Sequence, residues 1–278
     1  MKVKLASNYG FCFGVKRAIK IAEDYENSAT MGPLIHNQDE INRLKNDFNV
    51  GLYNNLSDVK DHDTVIIRTH GIPKNDLKHL RTLNAKIINA TCPFVTTPQQ
   101  IVKKMSSEGY SILIFGDSDH PEVKGVQSYA ENQDDVHIVL EPSDLQNIIF
   151  KNNKIATVAQ TTKKKEKYLE IVNYLILKSK EVRVFNTICD ATFENQDAAR
   201  ELSKEVDIMI VIGGKNSSNT KQLHSICLEN CPNSYLIENE TELENSWFLN
   251  KNLCGVTAGA STPDWIIQQV VDKIESFN

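Results

Sequence analysis

The sequence predicts an α/β protein made of three small lobes with mainly parallel sheets. Three observations carry that expectation. Short runs of Val, Ile, Leu and Ala, four to seven residues long, recur along the 278 residues. Runs without polar alternation suit strands covered on both faces, as in parallel sheets. Segments with helical spacing lie between them, which gives the strand–helix alternation of an α/β fold. Isolated cysteines at positions 12, 92 and 189 are spaced by 80 and 97 residues, close to a third of the chain, each where a strand or turn gives way to a helix.

The expected strands lie in "HDTVIIRTHG" (62–71), "NAKIINATCP" (84–93), "GYSILIFGD" (109–117), "DDVHIVLEP" (134–142), "NKIATVAQTT" (153–162) and "EVRVFNTIC" (181–189). "VDIMIVIGG" (206–214), "NSYLIEN" (233–239) and "LCGVTAG" (253–259) complete the set. Helices are expected over 98–109, closed by a glycine, over 163–180, the clearest amphipathic pattern, and over 197–206. No Gly/Ser-rich or Pro-rich linker intervenes. The expected lobes are 1–95, with the first two of these cysteines, 96–190, and 191–278 with the C-terminal segment.

A hydrophobic content of 40% suffices for a sizeable core, and a net charge of -5 argues against a general nucleic-acid binder. The cationic run "TTKKKEKY" (161–168) reads first as a solvated helix face. The start lacks the apolar core of a secretory signal, and no apolar stretch approaches the roughly 20 residues of a membrane span. The expectation is a cytoplasmic protein, with no membrane partner, whose six cysteines are reduced.

Ligands of open α/β sheets bind beyond the carboxyl ends of the strands. Here those ends deliver His70, Cys92, His120, Glu122, Thr161, Cys189, the hydroxyl and amide cluster "KNSSNT" (215–220) and Ser261. Cys12, Cys92 and Cys189 lack the CxxC partners of structural zinc sites and ferredoxins. From spacing alone they are either three ligands of one metal centre or three unconnected buried thiols. Cys227 and Cys231, one helical turn apart, read as core thiols rather than a metal pair, and Cys254 is also left outside the ligand set. His36, His70 and His120 each follow a strand-like run, which suits a shared anionic ligand or a metal. Ser217, Ser218 and Asn219 at a helix start suit a phosphate, although such residues also make good helix caps. Glu122 reads as a proton carrier, or as a surface glutamate favoured by a helix dipole. Thr161 reads as a proton relay or a cap.

"GFCFGVKRA", "THG", "ATCP", "HPEV", "AQTT", "TICDAT", "GGKNSSNT" and "GVTAGASTPDW" together, in this order, resemble the 4-hydroxy-3-methylbut-2-enyl diphosphate reductase family, the last step of the methylerythritol phosphate route to isoprenoids. The likeness runs from residue 10 to residue 265. It implies three α/β lobes around a central 4Fe–4S cluster, one per chain, held by Cys12, Cys92 and Cys189. The fourth iron would lack a protein ligand and take the substrate's hydroxyl oxygen. By the same resemblance His36, His70, His120, Ser217, Ser218, Asn219 and Ser261 would hold a diphosphate. Glu122 would deliver protons, Thr161 would orient the substrate alcohol, and His120 would belong to the catalytic set. Ferredoxin or flavodoxin, with its reductase, is the implied electron donor.

The chain departs from the family pattern at three places. Asn195 stands where an arginine is usual, Phe13 where a small residue is common, and Asp117 where histidine is often seen. Phe13 is expected to alter packing beside the cluster. The early end after "PDW" argues against a further fused domain. Two rivals remain on residues alone: a cluster-dependent dehydratase, which needs no net electrons, and a non-catalytic iron–sulfur or zinc sensor, which needs no proton donor.

Overall fold

The computed structural model describes residues 1–277, the side chain of Thr192 apart. In chain order, β1 (Lys2–Leu5), α1 (Phe13–Asp24), β2 (Ala29–Met31), α2 (Gln38–Phe48), β3 (Gly51–Tyr53), β4 (Thr64–Ile67), α3 (Lys74–Thr82) and β5 (Lys86–Asn89) come first. Next are α4 (Pro93–Ser107), β6 (Ser111–Phe115), α5 (Pro121–Gln127), β7 (Val136–Val139), β8 (Lys154–Ala159), α6 (Lys165–Lys178) and β9 (Glu181–Val184). The last are α7 (Asp190–Ser203), β10 (Ile208–Ile212), α8 (Ser218–Asn230), β11 (Ser234–Ile237), β12 (Leu253–Ala258) and α9 (Asp264–Glu275).

The strands form three four-stranded parallel sheets, one per α/β lobe. Their orders are β1-β12-β10-β11, β3-β2-β4-β5 and β7-β6-β8-β9. All nine strands expected from the sequence are present. In the first sheet, central β10 (IMIVI) is wholly buried, and its register pairs Ile210 with Val256 on one side and Tyr235 on the other. Each such side chain contributes about 1.5–3 kcal/mol on leaving water. In the third sheet β6 (SILIF) plays the same part between β7 and β8.

Sheet membership does not follow the expected boundary at 95. β1 pairs in parallel with β12, Lys2 opposite Leu253, so the N-terminal strand belongs with the last third of the chain. The chain divides into two compact units. Unit 1 holds residues 1–19, 35–48 and 190–278, and unit 2 holds 20–34 and 49–189. Unit 1 carries the first sheet, whose core packs Ile208, Ile210, Ile212 and Val256 against Ile266, Ile267, Val270 and Ile274 of α9. Unit 2 carries the other two sheets, and Val102 and Met105 of α4 join the core of β6 and β8. Among the described residues no helix is long and apolar enough to cross a membrane.

Candidate active site

In unit 2 the strand ends gather six of the expected residues. β4 ends in Arg68-Thr69-His70-Gly71, and Thr69 Oγ1 donates to the Leu34 carbonyl at 2.8 Å. The Cys92 amide donates to the Thr69 carbonyl at 3.0 Å, which sets Cys92 beside the His70 segment. Gly71 has φ +73°, and a Cβ there would come within 2.9 Å of Gln99 Nε2 in α4, so a side chain is excluded on both counts. His120 caps α5, its Nδ1 accepting from the Glu122 amide at 3.2 Å, which leaves Nε2 as the ring's donor. The rings of His70 and His120 meet edge-to-face at 5.4 Å.

Glu122 is 1% exposed. Its two oxygens accept from the Thr161 amide and the Thr161 hydroxyl, both at 2.7 Å. Burial pushes this carboxyl above the usual range, while the two Thr161 donors and the Lys163 charge pull it back in part. The carbonyl of the same Thr161 accepts from the Cys189 amide at 3.0 Å. One residue at the end of β8 thus fixes both the acid and the backbone of a thiol. The surface reading of Glu122 fails because Pro121 and Val123 turn the start of α5 inward, with Val123 in the lobe's core.

Unit 1 gathers the remaining residues around three turns. The Cys12 amide donates to the Ala260 carbonyl at 3.2 Å. Ser261 Oγ donates to the His36 carbonyl at 3.4 Å. Ser217 caps α8, its hydroxyl accepting from the Thr220 amide at 3.3 Å. Ser218 and Asn219 open that helix. Asn219 is buried, yet among the described residues neither of its amide atoms has a hydrogen-bond partner. An unpartnered buried amide at the N-terminus of a thirteen-residue helix has the donors and the positive dipole an anionic oxygen needs.

The cysteines separate into two sets. Cys12, Cys92 and Cys189 are half-buried, and each directly precedes a helix of twelve residues or more. Cys227, Cys231 and Cys254 are buried in the core of unit 1. Burial pushes the Cys227 and Cys254 thiols up to about 12. Only about one in ten thousand such groups is ionised near pH 8, so they are poor ligands and poor nucleophiles. In metal-free protein, iodoacetamide is expected to label Cys12, Cys92 and Cys189 promptly. Cys227, Cys231 and Cys254 should label only in denaturant, as read by peptide mass spectrometry. Equal native labelling of all six would refute the division.

The departures have definite places. Phe13 is 64% exposed at the start of α1, so its ring lies on the surface. Asn195 is buried in α7. The Asp117 side chain accepts from the Asp119 amide at 2.9 Å, while its own amide donates to Gln160 Oε1 at 3.0 Å. Gln160, to which sequence reasoning assigned no role, is buried and braces the turn before Glu122. Glu40 and Trp265 were also passed over. Trp265 Nε1 donates to Glu40 Oε2 at 3.0 Å, a pairing 225 residues apart that no local pattern announces.

The chain is similar to known proteins over nearly its whole length. The family model described as LytB protein matches residues 3–275. The 4-hydroxy-3-methylbut-2-enyl diphosphate reductase of Sulfurovum sp. (strain NBC37-1) is 64% identical over 277 residues, covering 100% of both chains. A solved structure of (E)-4-hydroxy-3-methyl-but-2-enyl diphosphate reductase, the terminal enzyme of the non-mevalonate pathway, matches with TM-score 0.73 and 43% identity over 99% of each chain. The Plasmodium falciparum E-1-hydroxy-2-methyl-but-2-enyl-4-diphosphate reductase structure matches with TM-score 0.92 and 28% identity, over 100% of this chain and 89% of that one. With residues 3–275 matched by the family model and the full chain by a relative 64% identical, the chain belongs to the LytB family of reductases.

Proposed function

We propose that the chain catalyses reductive dehydroxylation of (E)-4-hydroxy-3-methylbut-2-enyl diphosphate. The carbon–oxygen bond to the hydroxyl breaks and water leaves. Two electrons and two protons are consumed, and isopentenyl and dimethylallyl diphosphates form. The observation that carries this reading is Glu122, buried with a raised pKa and gripped by Thr161 one backbone bond from Cys189. A carboxyl so placed keeps its proton to higher pH than an exposed one and can give it up in a water-poor site.

Cys12, Cys92 and Cys189 would hold a 4Fe–4S cluster, and their half-buried thiols, each just before a helix, fit that group where the three fully buried core thiols do not. When bound, the cluster supplies electrons singly and Lewis acidity toward the departing oxygen. The protein's own groups do the rest. Ser217, Ser218, Asn219, Ser261 and His36 of unit 1 bind the diphosphate, with His70 and His120 of unit 2 assigned to the same task. The unpartnered Asn219 amide is the group that most needs such an oxygen. Thr161 Oγ1 holds the Glu122 carboxyl and orients the substrate alcohol, and the Glu122 carboxyl proton is delivered toward the reacting carbon skeleton or the leaving oxygen. An acidic one-electron carrier such as ferredoxin or flavodoxin, with its reductase, supplies the electrons, and the site of action is the cytoplasm.

Oxygen-free purification followed by iron, sulfide and turnover assays tests the reading. About four irons and four sulfides per chain, with product formation only when reductant is present, are expected. Turnover without reductant would point to the dehydratase instead. A zinc-loaded, inactive protein would leave the sensor.

A further inference from the structure

The three turns of unit 1 that carry His36, Ser217 to Asn219, and Ser261 converge on one atom, the His36 carbonyl oxygen. Ser261 Oγ donates to it at 3.4 Å, and a Cβ on Gly214 would come within 2.2 Å of it. Glycine at 214 is therefore what lets the α8 turn lie against the His36 turn. Two helices leave this point, α2 after His36 and α9 after Ser261. Four residues after His36 stands Glu40, and four residues after Ser261 stands Trp265.

Glu40 is 1% exposed, although a carboxylate so near an anion site ought to repel the ligand. Its geometry explains its presence. Arg43 grips it with Nε at 3.1 and 3.0 Å and Nη2 at 2.6 Å, so its charge is matched within one helical turn. Its Oε2 also accepts Trp265 Nε1 at 3.0 Å, and its amide is capped by Asn37 Oδ1 at 2.9 Å. The carboxylate therefore joins the first turns of α2 and α9.

We propose that the Arg43–Glu40–Trp265 bracket positions the diphosphate-binding turns, holding His36 and Ser261 at a fixed separation before the ligand arrives. This rests on the diphosphate reading above. Glu40 and Trp265 are positioning residues that do not touch substrate. Without the bracket, part of the binding energy goes to ordering the two turns.

The test measures inorganic diphosphate binding by calorimetry, with substrate KM, kcat and thermal midpoint, on the intact protein. Trp265→Phe, which keeps the ring and removes only the donor, is expected to weaken diphosphate about fivefold and raise KM in proportion, with kcat changed less than about twofold. Glu40→Ala should weaken binding about tenfold or more, and Glu40→Gln, which still accepts from Trp265, should recover part of that loss. If Trp265→Phe and Glu40→Ala bind diphosphate like the parent while only the thermal midpoint falls, the bracket is merely structural and the proposal fails. Ser217→Ala is the reference: undiminished diphosphate binding there would overturn the diphosphate reading itself, and the bracket with it.

Discussion

Glu122→Gln is expected to lower turnover by about two orders of magnitude or more while leaving iron content intact. The substitution is close to isosteric, and the site accommodates it. The Thr161 amide can still donate to the Gln oxygen, and the Thr161 hydroxyl can rotate to accept from the Gln amide instead of donating to a carboxylate. What disappears is a proton at a buried carboxyl. In the parent protein, burial raises the Glu122 pKa, so the donor form persists beyond the ordinary glutamate range and activity falls as pH rises through the raised value. Thr161→Val removes a donor that holds the pKa down, so that falling limb should move to higher pH. The stability consequence has a definite sign. A raised folded-state pKa means the folded chain keeps a proton that the unfolded chain releases, so this group's contribution declines as pH climbs from the unfolded to the folded value. Glu122→Gln should lack that decline. Urea titrations across pH would check it, and full activity in Glu122→Gln would remove the proton-donor assignment.

Cys92→Ser is the second large effect. Serine oxygen is a hard ligand that binds iron–sulfur clusters poorly, and iron content is expected to fall well below about four per chain, with activity down by at least about a hundredfold. The position makes this a clean experiment. Cys92 is the N-cap of α4 with Pro93 following, and serine is among the best N-cap residues, so the fold should survive the exchange. Circular dichroism should match the parent while the visible absorption is lost. Cys227→Ala supplies the contrast: a buried thiol removed from the core should lower the thermal midpoint and leave iron untouched. Parent-like iron in Cys92→Ser would exclude that residue from the ligand set.

Nine strands were legible as short runs rich in apolar residues, sealed most fully in β6, β8, β10 and β12. The three that were not legible are short or mixed. β1 (KVKL) alternates lysine with apolar residues as an edge strand, and β2 and β3 have three residues each. Two of the three expected helices begin earlier than their sequence pattern suggests. Pro98 looks like a first-turn proline, but α4 begins at Pro93 and carries Pro98 inside, with the Thr97 hydroxyl donating to the Pro93 carbonyl at 3.0 Å. α7 begins at Asp190 rather than 197. The site residues were legible as strand-end chemistry and as motifs, whereas their mutual bonds were not. Glu122 to Thr161 spans 39 residues and Glu40 to Trp265 spans 225, and neither separation leaves a periodic trace.

The pairing of β1 with β12 bears on the order of synthesis. A ribosome delivering about 5–20 residues per second releases β1 some ten seconds or more before its only sheet neighbour exists. Both sheets of unit 2 are complete by residue 189 and can close while translation continues. The Cys12 amide lacks its acceptor until Ala260 emerges. With Cys12, Cys92 and Cys189 as the proposed ligands, cofactor loading through all three would belong to the finished polypeptide, and the nascent Cys12 would wait for its Ala260 contact for almost the whole period of its own manufacture.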